Sequence, residues 1–231
     1  MSLRSFAYLH LQRLIGSRMD RAWRSLHDEA RLTPEAFVAT RQRQLRATLE
    51  QARETIPFYR NQAAALDPAN LTSFPILDKT TLIGSFRELM SPRLRAEYEG
   101  GKPRGYGWVE VRSGGTTGTP VAVIHGPDFR DHDRALRMYQ MELCGFPFGT
   151  PYFRLWGSMR DINQMKDSRA HRVMTALAGE HVLNAFQMET ADMDRYLDAM
   201  RSSGIRYLMA YIDAAVQLAH HARRRGAAPR L

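Results

Sequence analysis

The sequence predicts an α/β fold, in which an N-terminal helical layer precedes alternating strands and helices that form an open, mainly parallel sheet. After Glu110, short apolar runs alternate four times with helical patterns across short connections, as in parallel βαβ units. The 231 residues are 44% hydrophobic, which is enough to form a core. We therefore expect a helical and irregular layer at 1–107 and an incomplete nucleotide-binding α/β part at 108–231.

The first part contains one strongly predicted helix. Thr33 can cap it, and Pro34 suits its first turn. The residue before Pro57 is disfavoured in helical geometry, so the helix should end near Thr55. Proline-containing dipeptides between residues 61 and 107 indicate an irregular connecting layer instead of a separate domain.

The second part is predicted to hold four strands of one parallel sheet, the first of them a buried run. Helices follow the strands; Thr190 is expected to cap the third helix, while Gly204 and Gly226 end the third and the fourth. The predicted strands are 121–124, 152–156, 181–186 and 205–210.

Composition narrows the class of protein. A single cysteine, Cys144, excludes an internal disulfide, and we expect it to be a small buried residue in a reducing compartment. No apolar stretch approaches the ~20 residues of a membrane span, so we expect a cytoplasmic protein without a transmembrane segment.

The formal charge is +9, with three lysines and thirty arginines. The arginines are spread along the chain, which favours a solvated surface over a nucleic-acid partner. A basic nucleic-acid binder remains an alternative that rests on charge alone.

Residues 112–120, Arg-Ser-Gly-Gly-Thr-Thr-Gly-Thr-Pro, are the most informative stretch. Glycines let backbone N–H groups approach an anion closely, and the hydroxyl groups add donors, so the stretch predicts a phosphate cradle. It lacks the lysine of a P-loop and the spacing of a dinucleotide fingerprint. A glycine- and threonine-rich hairpin between Val109 and Val121 is the alternative interpretation. The predicted phosphate-binding residues are Ser113, Gly114, Gly115, Thr116, Thr117, Gly118 and Thr119.

This stretch resembles the signature loop of the adenylate-forming superfamily, and other segments resemble its phenylacetate-CoA ligase branch and the relatives grouped with the capsule-biosynthesis protein CapK. Residues 56–60 and 74–79 are similar to two upstream segments of that branch, and 182–186 to one of its strands. Residues 210–214 stand in place of its Gly-Tyr-Pro-Ser segment, in which Tyr211 is the firm match.

The resemblance implies ATP-dependent activation of a carboxylic acid to an acyl-adenylate, followed by transfer to a thiol such as coenzyme A. It implies ATP and Mg²⁺ as cofactors, and the acid, ATP and coenzyme A as partners, with a second copy of the chain as a further candidate. Trp156, at a predicted strand end, and Tyr211 are candidate substrate-binding residues, although core packing explains Trp156 equally well.

The sequence departs from the family in two ways. Val121 stands where many members carry a lysine after the loop. The family's magnesium-, ribose- and adenine-binding motifs and its catalytic lysine have no match, so we expect a fragment, with no catalytic residue assigned. A truncated CapK-like binding module in polysaccharide biosynthesis is the alternative.

The histidines form no ligand pattern, so we expect no metal site of the protein's own. His220 and His221 are adjacent and diverge on a helix. We expect His132, with Asp131 and Asp133, to lie on a solvent-exposed helix face.

Overall fold

The computed structural model describes residues 3–101, 105–113, 119–157, 169–226 and 229, with only the backbone for 169–171. It is a mixed α/β structure with a small parallel sheet, which confirms the predicted class at that level. The chain forms two compact units. The hairpin unit is Arg13–Leu136, and the sheet unit is Met1–Gln12 together with Arg137–Leu231.

The hairpin unit is mostly helical before its two strands. Thr33 Oγ1 accepts a hydrogen bond from the N–H of Ala36, and Pro34 begins the third helix, which confirms the predicted cap. Ile56 is extended and Pro57 begins a new helical turn. Its helices are α2 (Met19–Glu29), α3 (Pro34–Thr55), α4 (Pro57–Arg60), α5 (Lys79–Gly84) and α6 (Pro92–Glu99), with 3-10 turns at Ala63–Ala65 and Leu71–Ser73.

A buried carboxylate links distant parts of the hairpin unit. Asp131, in α7 (Pro127–Leu143), is 3% exposed, so the prediction that it lies on a wet face is wrong. Its Oδ1 accepts from Ser17 Oγ at 2.6 Å and from Tyr106 OH at 2.5 Å, and its Oδ2 accepts from the N–H of Arg18 at 2.6 Å. These three donors compensate for the loss of water that makes an isolated buried charge unfavourable.

The two strands of the hairpin unit correct one part of the predicted sheet. β1 (Val109–Arg112) and β2 (Ala122–His125) pair antiparallel, with Val109 opposite His125 and Arg112 opposite Ala122. The run at 121–124 is therefore not a buried parallel strand, and Val123 is 40% exposed. A short apolar run carries no periodicity that separates a buried parallel strand from a half-exposed hairpin strand.

The sheet unit contains a three-stranded parallel sheet in the order β4–β3–β5. The predicted strand 152–156 is confirmed as β3 (Tyr152–Trp156). The observed β4 (Glu180–Asn184) begins one residue before and ends two residues before the predicted 181–186, and β5 (Leu208–Ala210) begins three residues later than the predicted 205–210. Trp156 lies opposite Asn184, and Leu155 lies opposite Ala210. The helices that accompany the strands are α1 (Leu3–Leu14, which continues into the hairpin unit), α7, α8 (Arg169–Ala178), α9 (Thr190–Ser203) and α10 (Ile212–Arg225).

The core of the sheet unit lies between β3 and the helices α9 and α10. Leu155 is fully buried, and Leu197 and Met200 of α9 pack in the same cluster. Gly204 and Gly226 take left-handed conformations after α9 and α10, as predicted. Glu189, not Thr190, is the N-cap of α9, because its carboxylate can form a reciprocal capping box with Asp192.

Two expectations about particular residues have opposite outcomes in the structure. Cys144 follows α7 and is exposed, so its expected burial is wrong. His220 and His221 do diverge, because His220 is exposed whereas His221 is 8% exposed, with its Nε2 2.7 Å from Asp194 Oδ1. None of the helices in the described ranges is long and apolar enough to cross a membrane.

Leu155→Ala should lower the free energy of unfolding by about 2–5 kcal/mol, because the substitution leaves a cavity in a fully buried site. Urea titration would measure this loss. The control is Leu143→Ala, at a side chain that is 70% exposed, and it should stay within about 0.5 kcal/mol of the wild type. Equal losses in the two variants would contradict the assigned core.

Asp131→Asn should lower the free energy of unfolding by about 1–3 kcal/mol, since an amide cannot accept from three donors as a carboxylate does. Asp28→Asn is the matched control, because that carboxylate is 75% exposed. Thermal or urea unfolding of both variants checks the difference, and an unchanged Asp131→Asn protein would show that the buried hydrogen bonds contribute nothing measurable.

Candidate functional site

Ser113 and Val121, at the two ends of the predicted phosphate loop, stand where β1 ends and β2 begins. The N–H of Ser113 donates to the carbonyl oxygen of Val121 at 2.9 Å, and the N–H of Val121 donates to Ser113 Oγ at 2.9 Å. The strands on either side of the loop therefore pair antiparallel, as the hairpin interpretation expected of them. Because Ser113 Oγ accepts from Val121, its own hydroxyl proton remains available for donation to another acceptor.

The structure places only the two ends of the predicted phosphate-binding set. Ser113 and Thr119 are exposed. The five residues between them, Gly114, Gly115, Thr116, Thr117 and Gly118, lie outside the described residues.

The charge next to the loop is already paired along β1. Arg112 Nε donates to Glu110 Oε1 at 2.5 Å, and Tyr98 OH donates to Glu110 Oε2 at 2.8 Å. The hydrogen bond from Arg112, then that from Tyr98, holds the pKa of Glu110 below its usual value. Alternate residues of a strand share a face, which explains why Glu110 and Arg112 meet. The guanidinium of Arg112 is thus partly neutralised by its own strand.

A second candidate site lies in the sheet unit, where the carboxyl ends of the parallel strands meet. Trp156 ends β3 and Tyr211 follows β5, and their rings stack with centroids 3.8 Å apart and planes 18° apart. The N–H of Tyr211 donates to the carbonyl oxygen of Leu155 at 3.3 Å, which continues the β3–β5 ladder and brings the two rings together. The two predicted substrate-binding residues are therefore in direct contact.

Phe186 is an aromatic neighbour that the sequence analysis did not select. Asn184, at the end of β4, accepts a hydrogen bond from the N–H of Phe186 through its Oδ1 at 2.8 Å, a turn that carries the chain around the strand end. The Phe186 ring is 64% exposed and stands nearly perpendicular to Tyr211, at 6.3 Å between centroids. Its position as the last residue of the predicted strand 181–186 was the available signal. We call Trp156, Phe186 and Tyr211 the aromatic cluster.

Arg154 brings a positive charge to one side of the aromatic cluster. Its Cζ lies 5.6 Å from the Trp156 ring centroid, and its Nη1 donates to Glu180 Oε1 at 2.6 Å. The Nε of Arg154 is buried without a hydrogen-bond partner. Because Glu180 partly neutralises this guanidinium, Arg154 contributes a cation–π contact to Trp156 and not an unpaired charge.

The hairpin can bind a ligand through hydrogen-bond donors, and the aromatic cluster can bind one through its ring faces. The hairpin belongs to one compact unit and the aromatic cluster to the other. Among the described residues, no group of three or more histidine, cysteine, aspartate and glutamate side chains could hold a metal ion.

Comparisons with known proteins add no family to this description. No protein-family model matches the chain, and a search of curated proteins also finds no match.

The Trp156–Tyr211 stack should contribute about 0.5–1.5 kcal/mol of coupling energy beyond the area that its rings bury. A double-mutant cycle with Trp156→Leu and Tyr211→Leu, measured by urea unfolding, gives this value. The same cycle with Trp156→Leu and Leu143→Ala, a substitution at an exposed helix position, should give a value near zero. Additive effects of Trp156→Leu and Tyr211→Leu would contradict a stacked pair.

Proposed function

We propose that the chain is part of an enzyme that uses ATP to activate a carboxylic acid as an acyl-adenylate and then transfers the acyl group to a thiol such as coenzyme A. The proposal rests on the sequence resemblance of the loop at 113–120 to the adenylate-forming superfamily. The observation that supports it best is the closed base of that loop at Ser113 and Val121.

The closed base of the loop matters because binding the triphosphate of ATP requires several hydrogen-bond donors at once. Fixing both ends of a short glycine-rich loop lowers the conformational entropy that its backbone loses when it closes around an anion. The exposed Ser113 hydroxyl keeps its proton for donation, and Thr119 is exposed at the other end. These donors fit the β- and γ-phosphate oxygens of ATP, which accept hydrogen bonds.

The reaction proceeds in two displacement steps. A carboxylate oxygen of the acid forms a bond to the α-phosphorus of ATP, and the bond to pyrophosphate breaks. A thiolate sulfur then bonds to the acyl carbon, and AMP leaves. Backbone amides of Gly114, Gly115 and Gly118, with hydroxyls of Ser113, Thr116 and Thr117, would hold the phosphates and offset the charge that builds on the leaving pyrophosphate.

Mg²⁺, when bound, would neutralise phosphate charge. Because the described residues contain no candidate metal cluster, we derive no step that depends on a protein ligand to this ion.

The aromatic cluster supports an aryl acid as the substrate class. The rings of Trp156 and Tyr211 provide a flat apolar surface at the strand ends, which is where α/β sheets commonly bind ligands. We place the reaction in the cytoplasm, where ATP and reduced thiols are present, with the single Cys144 free.

Thr117→Ala should slow acid-dependent exchange of pyrophosphate into ATP by about tenfold or more, the effect of removing one oriented donor. Ser113→Ala should have a similar effect, because it removes a donor and one of the hydrogen bonds that close the loop. The exchange is measured with protein from the complete open reading frame, across a panel of aromatic and aliphatic acids.

The matched control is Thr48→Ala, since Thr48 lies on the exposed surface of α3 and its hydroxyl donates to the carbonyl oxygen of Gln44 within the helix. Exchange that is unchanged by Thr117→Ala would remove that residue from the mechanism. A folded wild-type protein that supports no exchange with any acid would favour the alternative, a CapK-like binding module without catalysis.

A further inference from the structure

The inner face of α1 carries unusually polar residues for a buried helix surface. Ser5 is fully buried and Gln12 is 3% exposed, with Leu9 between them at 8%. Ser5 Oγ donates to the carbonyl oxygen of Phe148 at 3.0 Å, which fixes this face of α1 against the rest of the sheet unit.

The opposite side of α1, which we call the outer face, exposes large apolar residues. Leu3 is 86% exposed, Phe6 59% and Leu14 70%. His10, also exposed, stacks on Phe6 with ring planes 11° apart. Positions 3, 6, 10 and 14 follow the spacing that brings side chains to one face of a helix. The usual amphipathic pattern is thus largely reversed, with Ser5 and Gln12 buried beside Leu9 and large apolar side chains exposed to solvent.

Positive charges flank the outer face on both sides. Arg4 follows Leu3 and Arg13 precedes Leu14, so the Cα position of each arginine is turned by about 100° from that of its neighbouring leucine, in opposite directions. The first acidic residue of the chain is Asp20. Asp20 pairs with Arg13, whose side chain is still 56% exposed, whereas Arg4 forms no ion pair within the described part of the chain.

We propose that the outer face of α1 binds an anionic lipid surface, with the helix lying in the plane of the headgroups. Leucine and phenylalanine side chains would enter the acyl boundary while the flanking guanidinium groups contact lipid phosphates, the arrangement typical of interfacial helices. The twelve-residue helix is too short to span a bilayer. Binding would place the enzyme at the membrane surface without an inserted segment.

Charge favours a lipid surface over a second copy of the chain. A symmetric contact between two α1 helices would bring the arginine pair of one copy toward that of the other, because an isologous interface repeats the same residues on both sides. Like charges in such a contact repel, whereas each cation near an anionic bilayer contributes favourably. The net charge of +9 acts in the same direction.

The test is vesicle co-sedimentation of the protein from the complete open reading frame. The two vesicle types are phosphatidylcholine alone and phosphatidylcholine with about 30% phosphatidylglycerol, a stand-in for an anionic leaflet. We expect sedimentation with the anionic vesicles at low salt and much less with the neutral ones.

The double substitution Leu3→Glu with Phe6→Glu should lower the partition coefficient by about tenfold or more. Arg4→Gln should lower it by about fivefold on anionic vesicles only, as expected for one lost cation.

Ile76→Glu is the matched control, because Ile76 is 94% exposed and lies outside α1. It should leave partition within about twofold of the wild type. Circular dichroism should show the same helix content in all variants, since the substituted side chains face solvent.

Three outcomes would overturn the proposal. The first is a wild-type protein that does not sediment with anionic vesicles at low salt. The second is an equal loss of binding in the Ile76→Glu control. The third is a dimer, seen by light scattering, that the double substitution converts to a monomer, since a second copy would then cover the outer face.

Discussion

The central strand β3 forms hydrogen-bond ladders with β4 along one edge and with β5 along the other, so both neighbours take their positions from it. Its fourth residue, Leu155, is fully buried, and the hydrophobic cluster of α9 and α10 forms around it. The same strand delivers Trp156 to the sheet edge, and the ladder to β5 brings Tyr211 beside it. Core and candidate site therefore depend on one pairing register.

The sequence was most informative where burial and backbone chemistry act locally. Strand β3 was predicted with its observed bounds because its apolar residues, interrupted only by Arg154, stand between Pro151 and Gly157. The caps at Thr33, Gly204 and Gly226 were predicted because each depends on one residue and its immediate neighbours. Contacts between residues far apart in the sequence produce no comparable local pattern from which they could be predicted.

Three features show what local patterns omit. The pairing partner of β2 could not be inferred, since four apolar residues suit either a parallel sheet or a hairpin. Asp131 looked solvated among charged neighbours, and only the fold brings Ser17 and Tyr106 to it. At the candidate site, Trp156 and Tyr211 were selected from the sequence, but their stacking and the addition of Phe186 arise from the meeting of strand ends.

The sheet unit is formed by two separate stretches of the chain, which affects how the protein folds during synthesis. This unit joins Met1–Gln12 to Arg137–Leu231, so its first helix is made long before the residues against which it packs. Ser5 bonds to Phe148 across a separation of 143 residues. At ~5–20 residues per second, a ribosome needs roughly 7 to 29 s to make the chain between Ser5 and Phe148. During that interval α1 lacks its inner contacts with Phe148, so the nascent segment presents two uncovered sides to the chaperones and surfaces that it meets.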